Sequence, residues 1–389
     1  MAPLVIAFGA GCHSGLRHPP PGDAGRDATA ATTDGDRTTR DAAGEGAPVN
    51  HDAAVTDDAA VTDGPLTSQD GGDTAATADA GRNADAVDAA HVWTPGPSCA
   101  NLAPTCGPTG TRDCCASTVI PGGTFNRGND PAWPATVSDF RLDVYEITVG
   151  RFRAFVAAYP ADLPAPGAGR NPNDPSDTGW DASWTAVLPV DATALKKQVK
   201  CDLPANNTWT DSPGANENLP MNCIDWFVAQ AFCVWDGGRL PTEAEWNYAA
   251  AGGSEQRLYP WSVPPSDATV DPSHAVYQTN SRTPPVSPVG SRSPLGDGKW
   301  GQSDLAGNLW EFTRDQLDIQ GPGLGYPSPC KDCISSVPVD TTRPGPGSND
   351  AIRGGGFYNA STGVASSSRQ NIGVLYPEAD IGARCARAP

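Results

Sequence analysis

Aromatic residues are missing from the N-terminal part of the chain. No Phe, Tyr or Trp occurs between Gly9 and Val92, although the whole chain contains 11 Trp. A segment that cannot bury aromatic and branched apolar side chains cannot offset the entropy lost when its backbone is ordered. The sequence therefore predicts a disordered linker over residues 13–97, followed by a folded part that is long enough for one large core.

Clustered Lys and Arg are also lacking. The formal net charge is −19, and 15 Asp and Glu against 5 Arg give residues 13–92 a net charge of −10. Surfaces that bind nucleic acid or anionic lipid need clustered basic residues, so the sequence argues against both partners. No apolar run approaches the ~20 residues of a membrane-spanning helix, and we expect a monomer.

A short apolar run at the start, Pro3–Gly11, stops at Cys12. Residues 1–12 resemble the end of a bacterial lipoprotein signal sequence. No Lys or Arg precedes the run and it is short, so an N-terminus without a signal is the alternative. The signal interpretation predicts an exported protein of the outer membrane, cell surface or periplasm, attached to a membrane only through a lipid on Cys12.

The linker carries a tandem repeat, DAAVTD at residues 52–57 and again at 58–63. Six-residue units without an apolar stripe cannot build a solenoid core, and like charges keep such a segment extended. The linker is predicted to hold the folded part away from a membrane.

Ten cysteines remain when Cys12 is set apart as a modification site. An even number in a Gly- and Pro-rich domain is typical of disulfides formed in an oxidising compartment, and we favour disulfides over zinc. The adjacent Cys114 and Cys115 are expected to bond to different partners. Cys330 and Cys333 form a CxxC in a Gly- and Pro-rich region, which favours a small structural bridge over a redox centre.

Three helices are predicted from apolar spacing and capping residues. Thr148 precedes the first, Asp225 precedes a second that Gly237 ends, and Thr242 with Glu245 forms a capping box for the third. Elsewhere Gly, Pro and Asn indicate short strands joined by long loops. The sequence therefore predicts an α+β domain.

Five motifs follow one another along this domain: IPGGTFNRG, GRLPTEAEWNYAAAGG, DLAGNLWEFTRD, IRGGGF and GARCARAP. In this order they resemble the formylglycine-generating enzyme (sulfatase-modifying factor) family, over nearly all of residues 119–389. The resemblance implies a complex, loop-rich, C-type-lectin-like fold with little regular secondary structure. Residues 98–118 would precede it as a Cys-rich lead-in.

Copper in that family is bound by two Cys, five positions apart, shortly after a GGS motif. The corresponding residues here, 354–370, read GGGFYNASTGVASSSRQ and contain no Cys. Hydroxyls and amides cannot replace the soft thiolates that Cu(I) prefers, so we expect neither copper nor the family's catalytic residues. A polar pocket for a peptide or sugar would remain. Its candidate residues are Asn359, Ser361, Ser366, Ser367, Ser368 and Arg369.

One calcium site is also implied by the resemblance. The ligands would be the Asp304 side chain, the carbonyls of Gly307 and Leu309, and the Glu311 side chain. Hard oxygen ligands that include two anions suit Ca²⁺, and a glycine permits the bend. The alternative is that Asp304 caps a turn while Glu311 pairs with Arg314.

Two further features follow from the resemblance. A second calcium site of the family needs an Asn where this chain has Val276, so we expect that site to be lost. The family joins the positions of Cys233 and Cys385 by a structural disulfide, which closes a loop of some 150 residues. By loop-closure arithmetic this bridge would stabilise the fold by about 4–5 kcal/mol at best.

His274 is the single histidine of the folded part. A three-His iron centre and a His-rich zinc site are therefore excluded, whereas a Ser-His-Asp triad stays open.

The tryptophans divide into two groups. Those in helical or motif positions are expected in the core, namely Trp226, Trp235, Trp246 and Trp310. Those in the less regular insert between Gly167 and Pro220 are freer to lie at the surface, namely Trp180, Trp184 and Trp209.

Three functions are compatible with this pattern, and one of them is a purely structural envelope protein without a soluble ligand. The first is a surface-tethered, calcium-stabilised, non-catalytic binding module for a peptide or glycan. The enzymatic alternative is an oxidoreductase of the same family that converts a substrate cysteine to formylglycine with other residues. Free thiols among the ten cysteines would favour the alternative.

Overall fold

The computed structural model describes residues 94–201, 206–317, 326–335 and 349–389. The expected signal at residues 1–12, its Cys12, and residues 13–93 of the expected linker lie outside the described residues.

The described ranges contain four helices, and three of them are the predicted ones. The helices are α1 Val149–Ala158, α2 Ala192–Gln198, α3 Trp226–Trp235 and α4 Glu243–Ala250. Helix α2, which lies in the insert described as less regular, was not predicted.

Side-chain caps begin the helices as expected. The hydroxyl of Thr148 accepts from the Arg151 N–H at 3.2 Å, and Asp225 accepts from the Val228 N–H at 2.8 Å. Thr242 and Glu245 form the reciprocal capping box. Each bond satisfies a backbone donor that has no partner within its helix, which is why short local motifs fix where these helices begin.

The strands are short. They are β1 Ser117–Ile120, β2 Gly123–Asn126, β3 Pro134–Val137, β4 Phe140–Asp143, β5 Trp310–Gln316, β6 Cys330–Lys331, β7 Asn349–Arg353, β8 Arg369–Gly373, β9 Ile381–Gly382 and β10 Ala386–Arg387. In the part of the chain that the structure describes, they form three sheets, in the orders β1-β4-β10, β2-β3-β6 and β8-β7-β5-β9. The predicted α+β class with little regular secondary structure is confirmed.

Helix α3 lies at the centre of the largest core cluster. All its residues from Trp226 to Cys233 are buried. The Phe232 ring stacks on Phe152 of α1 with a centroid distance of 5.9 Å. A helix that is apolar on every face must be enclosed by other elements, so α3 fixes the positions of α1 and β5 around it.

The expectation that Trp180, Trp184 and Trp209 are freer to lie at the surface is wrong, since they are 1%, 9% and 5% exposed. Arg314 lies over the Trp184 ring at 5.0 Å, and Arg153 lies over Trp209 at 4.6 Å. These cation–π contacts come from distant parts of the chain and hold the insert against the core.

The tryptophans expected in the core are found there. Trp226, Trp246 and Trp310 are buried, and Trp235 is half-buried against the same cluster.

All ten cysteines of the described residues are joined in disulfides. The pairs are Cys99–Cys115, Cys106–Cys114, Cys201–Cys223, Cys233–Cys385 and Cys330–Cys333. Cys114 and Cys115 do bond to different partners, and the CxxC is a local bridge. The pairing of Cys233 on α3 with Cys385 is the one implied by the family resemblance.

None of the helices in the described ranges has the length and apolar character needed to cross a membrane.

Candidate functional site

Residues 354–370 correspond to the copper-binding segment of the family. They connect β7 to β8, which are antiparallel neighbours in one sheet. Its base closes tightly, because a Cβ on Gly355 would lie 2.4 Å from the Gly363 carbonyl oxygen. Gly355 also has a φ of 75°, which disfavours other residues. The glycines therefore form the base of a fixed hairpin connection whose tip is residues 358–362.

Three of the expected pocket residues make contacts within the fold. The Ser366 hydroxyl donates to the Ala250 carbonyl at 3.0 Å, at the end of α4. The carbonyls of Ser367 and Ser368 both accept from the Arg353 guanidinium at 3.1 Å. These serines fasten the hairpin to the scaffold.

Arg369 is also engaged. Its guanidinium pairs with buried Glu243 and lies over the Tyr326 ring at 4.1 Å. Arg353 donates to the same Glu243 at 2.9 Å and to the Tyr326 hydroxyl at 2.7 Å. The two arginines lower the pKa of Glu243 against the effect of burial. This cluster joins α4 to β7 and β8.

The other two expected residues, Asn359 and Ser361, lie at the tip. The Asn359 side-chain oxygen accepts from the Gly356 N–H, and its carbonyl accepts from the Gln278 N–H, both at 2.8 Å. Ser361 borders a surface depression, and its carbonyl accepts from Tyr259 at 3.3 Å. The structure thus separates four predicted residues that are bonded to the scaffold from two at the tip, of which Ser361 lines the depression.

The depression has a volume of about 460 Å³. It is lined by Pro272, Tyr277, Gln278, Thr279, Asn280, Ala360 and Ser361. No charged side chain is among them, although the chain as a whole is strongly acidic. The sequence did not predict the lining residues 277–280. Asn280 and the following Ser281 have positive φ, a feature that only the backbone geometry reveals.

An aromatic column lies close to this depression. The Trp261 ring is stacked between Tyr259 at 5.2 Å and His274 at 5.1 Å. Tyr259 reaches the depression through its bond to Ser361, and Pro272 on the rim is two residues from His274.

His274 does not have the geometry of a triad base. Its Nδ1 lies 3.1 Å from the Asp271 carboxylate and 3.4 Å from the Ser273 hydroxyl. A triad needs the nucleophile and the carboxylate at opposite ring nitrogens, whereas here both lie at the same one. Hydrogen bonds from the Ser273 side chain and backbone, and then from His274, lower the pKa of Asp271 to about 2.

The expected calcium ligands surround a turn that leads into β5. Asp304 has a φ of 59° and Gly307 a φ of 82°, so the backbone bends sharply. One Asp304 oxygen accepts from the Gly290 N–H at 2.6 Å. Burial raises the pKa of Asp304 to about 6, while the Gly290 hydrogen bond acts in the opposite direction.

The alternative expectation, in which Glu311 pairs with Arg314, is wrong. Its two oxygens accept from Arg384 at 2.6 and 2.7 Å, and one also accepts from the Trp246 ring N–H at 2.9 Å. Arg314 instead pairs with Asp177 at 3.1 Å.

A third buried carboxylate, Glu146, was missed by sequence reasoning. It accepts from the Asn308 side chain at 2.8 Å and from the Leu309 N–H at 3.1 Å. Burial raises the pKa of Glu146 well above its usual range, and the charges of Asp304 and Glu311 raise it further. Three buried carboxylates, those of Glu146, Asp304 and Glu311, therefore lie around the Arg384 guanidinium.

The predicted calcium site is not tested by a search for clusters of side-chain ligands. Within the described ranges, no group of three or more His, Cys, Asp or Glu is arranged to hold a metal ion. The expected site uses only two side chains, with carbonyls as the other ligands. Val276, in the place of the second site's Asn, is buried, and its carbonyl accepts from the Asn308 N–H.

Comparisons with known proteins identify the family of this chain. Residues 103–389 match the family model described as sulfatase-modifying factor enzyme 1-like domain. The chain is 29% identical over 231 residues to the inactive C-alpha-formylglycine-generating enzyme 2 of Bos taurus, covering 51% of this chain and 69% of that protein. It is 26% identical over 276 residues to the formylglycine-generating enzyme of Thermomonospora curvata, covering 61% and 81%.

Among solved structures, PvdO from Pseudomonas aeruginosa covers 70% of this chain and 94% of its own, with 19% identity and a TM-score of 0.44. Because the family model spans most of the chain, from the lead-in disulfides to the last strand, the chain belongs to the sulfatase-modifying factor enzyme 1-like (formylglycine-generating enzyme) family.

Proposed function

We propose that this protein is a non-catalytic member of its family that binds a peptide or glycan at the depression beside residues 359–361. The observation that carries the proposal is the state of the cysteines: all ten in the described residues are in disulfides. A disulfide offers no thiolate, and Cu(I) requires soft thiolate ligands.

The lining of the depression supports a neutral, polar ligand. Amide and hydroxyl groups are offered by Gln278, Thr279, Asn280 and Ser361, and an aromatic ring is offered by Tyr277. Such groups match the hydroxyls of a sugar or the amides of a peptide backbone, and no lining charge must be desolvated. One similar protein carries the word inactive in its name, which is in keeping with a family branch without oxidase activity.

The first test is a thiol count beside an oxidase assay. A full-length chain carrying Cys12→Ser is expected to show no free thiol before reduction, no bound copper, and no conversion of a Cys-containing peptide to formylglycine by mass spectrometry. Two free thiols together with stoichiometric copper would contradict the proposal and support the oxidoreductase alternative.

Ligand binding is tested on the same protein with glycan and peptide arrays. A Ser361→Trp variant, which fills the depression, should lose the ligands that the unmodified chain retains. Thr362→Trp serves as the control, because Thr362 is an exposed neighbour that does not line the depression. Equal binding by both variants would place the ligand elsewhere.

We further propose that one calcium ion is held by the Asp304 and Glu311 side chains with the Gly307 and Leu309 carbonyls. The ion would supply positive charge to the buried carboxylates. Calcium at about 100 times its Kd should stabilise the protein by about 2.7 kcal/mol, seen as a higher Tm that EGTA reverses. Asp304→Ala should abolish the calcium-dependent increase, whereas Asp162→Ala, at an exposed site, should preserve it. A Tm that does not respond to calcium would contradict this.

Export and tethering through Cys12 belong to the same proposal. Five disulfides are typical of proteins that mature in an oxidising compartment.

A further inference from the structure

The Cys330–Cys333 bridge lies next to a buried guanidinium. The Arg127 side chain is 2% exposed, and its Nη1 donates to the Cys333 Sγ at 3.7 Å, which is within hydrogen-bond distance for sulfur. Within the described ranges, the other disulfide sulfurs that have a hydrogen-bond contact meet only hydroxyl groups. The bridge therefore has an electrostatic environment that the other four disulfides lack.

The charge of Arg127 has no carboxylate partner. Every other buried arginine of the described residues forms an ion pair with a carboxylate, and none is found there for Arg127. Its Nη2 donates to the Pro327 carbonyl at 2.7 Å, and its Cζ lies 4.6 Å from the centroid of the Tyr326 ring. A buried charge without a counter-ion is costly, so an anion formed beside Arg127 would be stabilised.

Positive charge is in excess around Arg127. Two more guanidinium groups, those of Arg353 and Arg369, share the single carboxylate of Glu243. Asp315 also acts on Arg127, but burial raises the pKa of Asp315 to about 7, so this carboxyl is only partly charged near neutral pH. Burial lowers the pKa of Arg127 too, yet a guanidinium starts from so high a value that it stays protonated.

Hydrogen bonds hold the loop between the two cysteines independently of the bridge. Asp332 is buried, and its carboxylate accepts from the Ser138 N–H at 2.6 Å and from the Ser138 hydroxyl at 2.8 Å. The Asp332 N–H donates to the Thr136 carbonyl at 2.9 Å, and Cys330 lies on β6 beside β3. Opening the bridge should therefore leave the loop in place, with both sulfurs kept close together.

The two cysteines differ in exposure. Cys330 is buried, whereas Cys333 is half-buried, and Lys331 between them is exposed. The more exposed cysteine is thus the one that contacts Arg127. In thiol–disulfide exchange, an accessible sulfur whose thiolate is stabilised is the one that reacts with an external thiol. Arg127 lies 206 positions from Cys333, which is why the CxxC pattern alone favours a purely structural bridge.

We propose that the Cys330–Cys333 bridge is a thiol–disulfide exchange site that accepts two electrons from an external dithiol, and that Arg127 stabilises the Cys333 thiolate. One thiolate of the dithiol attacks the Cys333 Sγ, which forms a mixed disulfide, and Cys330 leaves as a thiolate that takes up a proton.

The second step completes the transfer of electrons. The other thiolate of the dithiol attacks its own sulfur in the mixed disulfide, which closes the dithiol into a disulfide and releases Cys333 as a thiolate beside Arg127. The dithiol loses two electrons and two protons. The bridge gains both electrons, one proton goes to Cys330 and the other goes to solvent. The exchange is stoichiometric and uses no metal.

The test uses the full-length chain carrying Cys12→Ser, equilibrated under native conditions with mixtures of reduced and oxidised dithiothreitol. Free thiols are alkylated and mapped by mass spectrometry. The Cys330–Cys333 bridge should open at a ratio of reduced to oxidised dithiothreitol about tenfold or more below that needed for Cys99–Cys115. That bridge is the internal control, because it also joins a half-buried to a buried cysteine, without a described guanidinium contact. Opening of both bridges at the same ratio, or of Cys99–Cys115 first, would overturn the proposal.

Variants of the cation test the role of Arg127. Arg127→Gln should raise the ratio needed to open the bridge about tenfold or more, because the thiolate loses a charged donor. Arg127→Lys should restore part of this loss. Lys331→Gln, which removes an exposed charge from the same loop, should change the ratio much less. Equal shifts in Arg127→Gln and Lys331→Gln would mean that the contact with Cys333 has no special role.

A further measurement needs no variant. After reduction of the bridge, iodoacetamide should still label Cys333 at about pH 6, where an ordinary thiol is almost fully protonated and unreactive. Labelling that disappears between about pH 9 and pH 7 would show an ordinary thiol and overturn the proposal. Arg127 and the two cysteines do not line the depression beside Ser361, so either result leaves the peptide or glycan proposal to its own test.

Discussion

An Asp236→Ala variant is expected to lose about 3–5 kcal/mol of unfolding free energy. Asp236 is buried and accepts from Arg151 at 2.6 Å, from Arg387 at 2.8 Å and from the Ser98 N–H at 2.9 Å. Asp143 accepts from the same two arginines, so two carboxylates and two guanidinium groups form a closed, neutral ring. Removing one carboxylate leaves a positive charge buried without compensation.

Urea unfolding followed by tryptophan fluorescence measures this loss. Lys200→Ala is the control, because the Lys200–Asp211 pair is exposed and exposed pairs contribute about 0–1 kcal/mol. A loss below 1 kcal/mol for Asp236→Ala would mean that the ring does not stabilise the fold as its burial implies. The ring also fastens the lead-in at Ser98 to α1, α3 and β10, so the lead-in should become more accessible to protease in the variant.

A Cys233→Ala/Cys385→Ala variant is expected to lose about 3–5 kcal/mol of unfolding free energy. The bridge joins residues 152 positions apart, so it removes a large amount of chain entropy from the unfolded state. Both sulfurs belong to the main core, where alanine also leaves a small cavity. Differential scanning calorimetry under non-reducing conditions checks the change.

The matched control is Cys330→Ala/Cys333→Ala. That bridge spans only 3 positions, and the same chain-entropy argument gives it about 1–2 kcal/mol. Equal losses in the two variants would contradict the loop-entropy explanation and indicate that both bridges act through local packing.

Three helices, α1, α3 and α4, were predicted from local sequence because their starts depend on neighbouring residues. The capping side chains of Thr148, Asp225 and Thr242 bond to backbone groups only three residues away. Such contacts are set by the order of residues and depend little on the rest of the fold, so three helices were correctly placed.

The residues whose environment depends on distant contacts were not predicted. Trp184 is buried through Arg314, which lies 130 positions later in the chain. A pairing of Glu311 with Arg314 would suit a helix, where residues three apart are neighbours. Both residues lie on strand β5, in which successive side chains alternate between faces, so positions three apart point to opposite sides. Glu311 instead accepts hydrogen bonds from Arg384, which is 73 positions away in the chain, so local sequence does not predict this pair.

The hairpin between β7 and β8 has a base that is bonded to the scaffold and a tip that is exposed. Its base is held by the Gly355 contact, by the Ser366 bonds to α4 and by the Arg353 bonds to two carbonyls. Tyr358 and Thr362 at its tip are exposed. The Thr362 side chain can therefore be exchanged at little cost in folding free energy. Under the proposed binding function, this gives the protein a position beside the ligand where sequence can diversify over evolution while the scaffold stays constant.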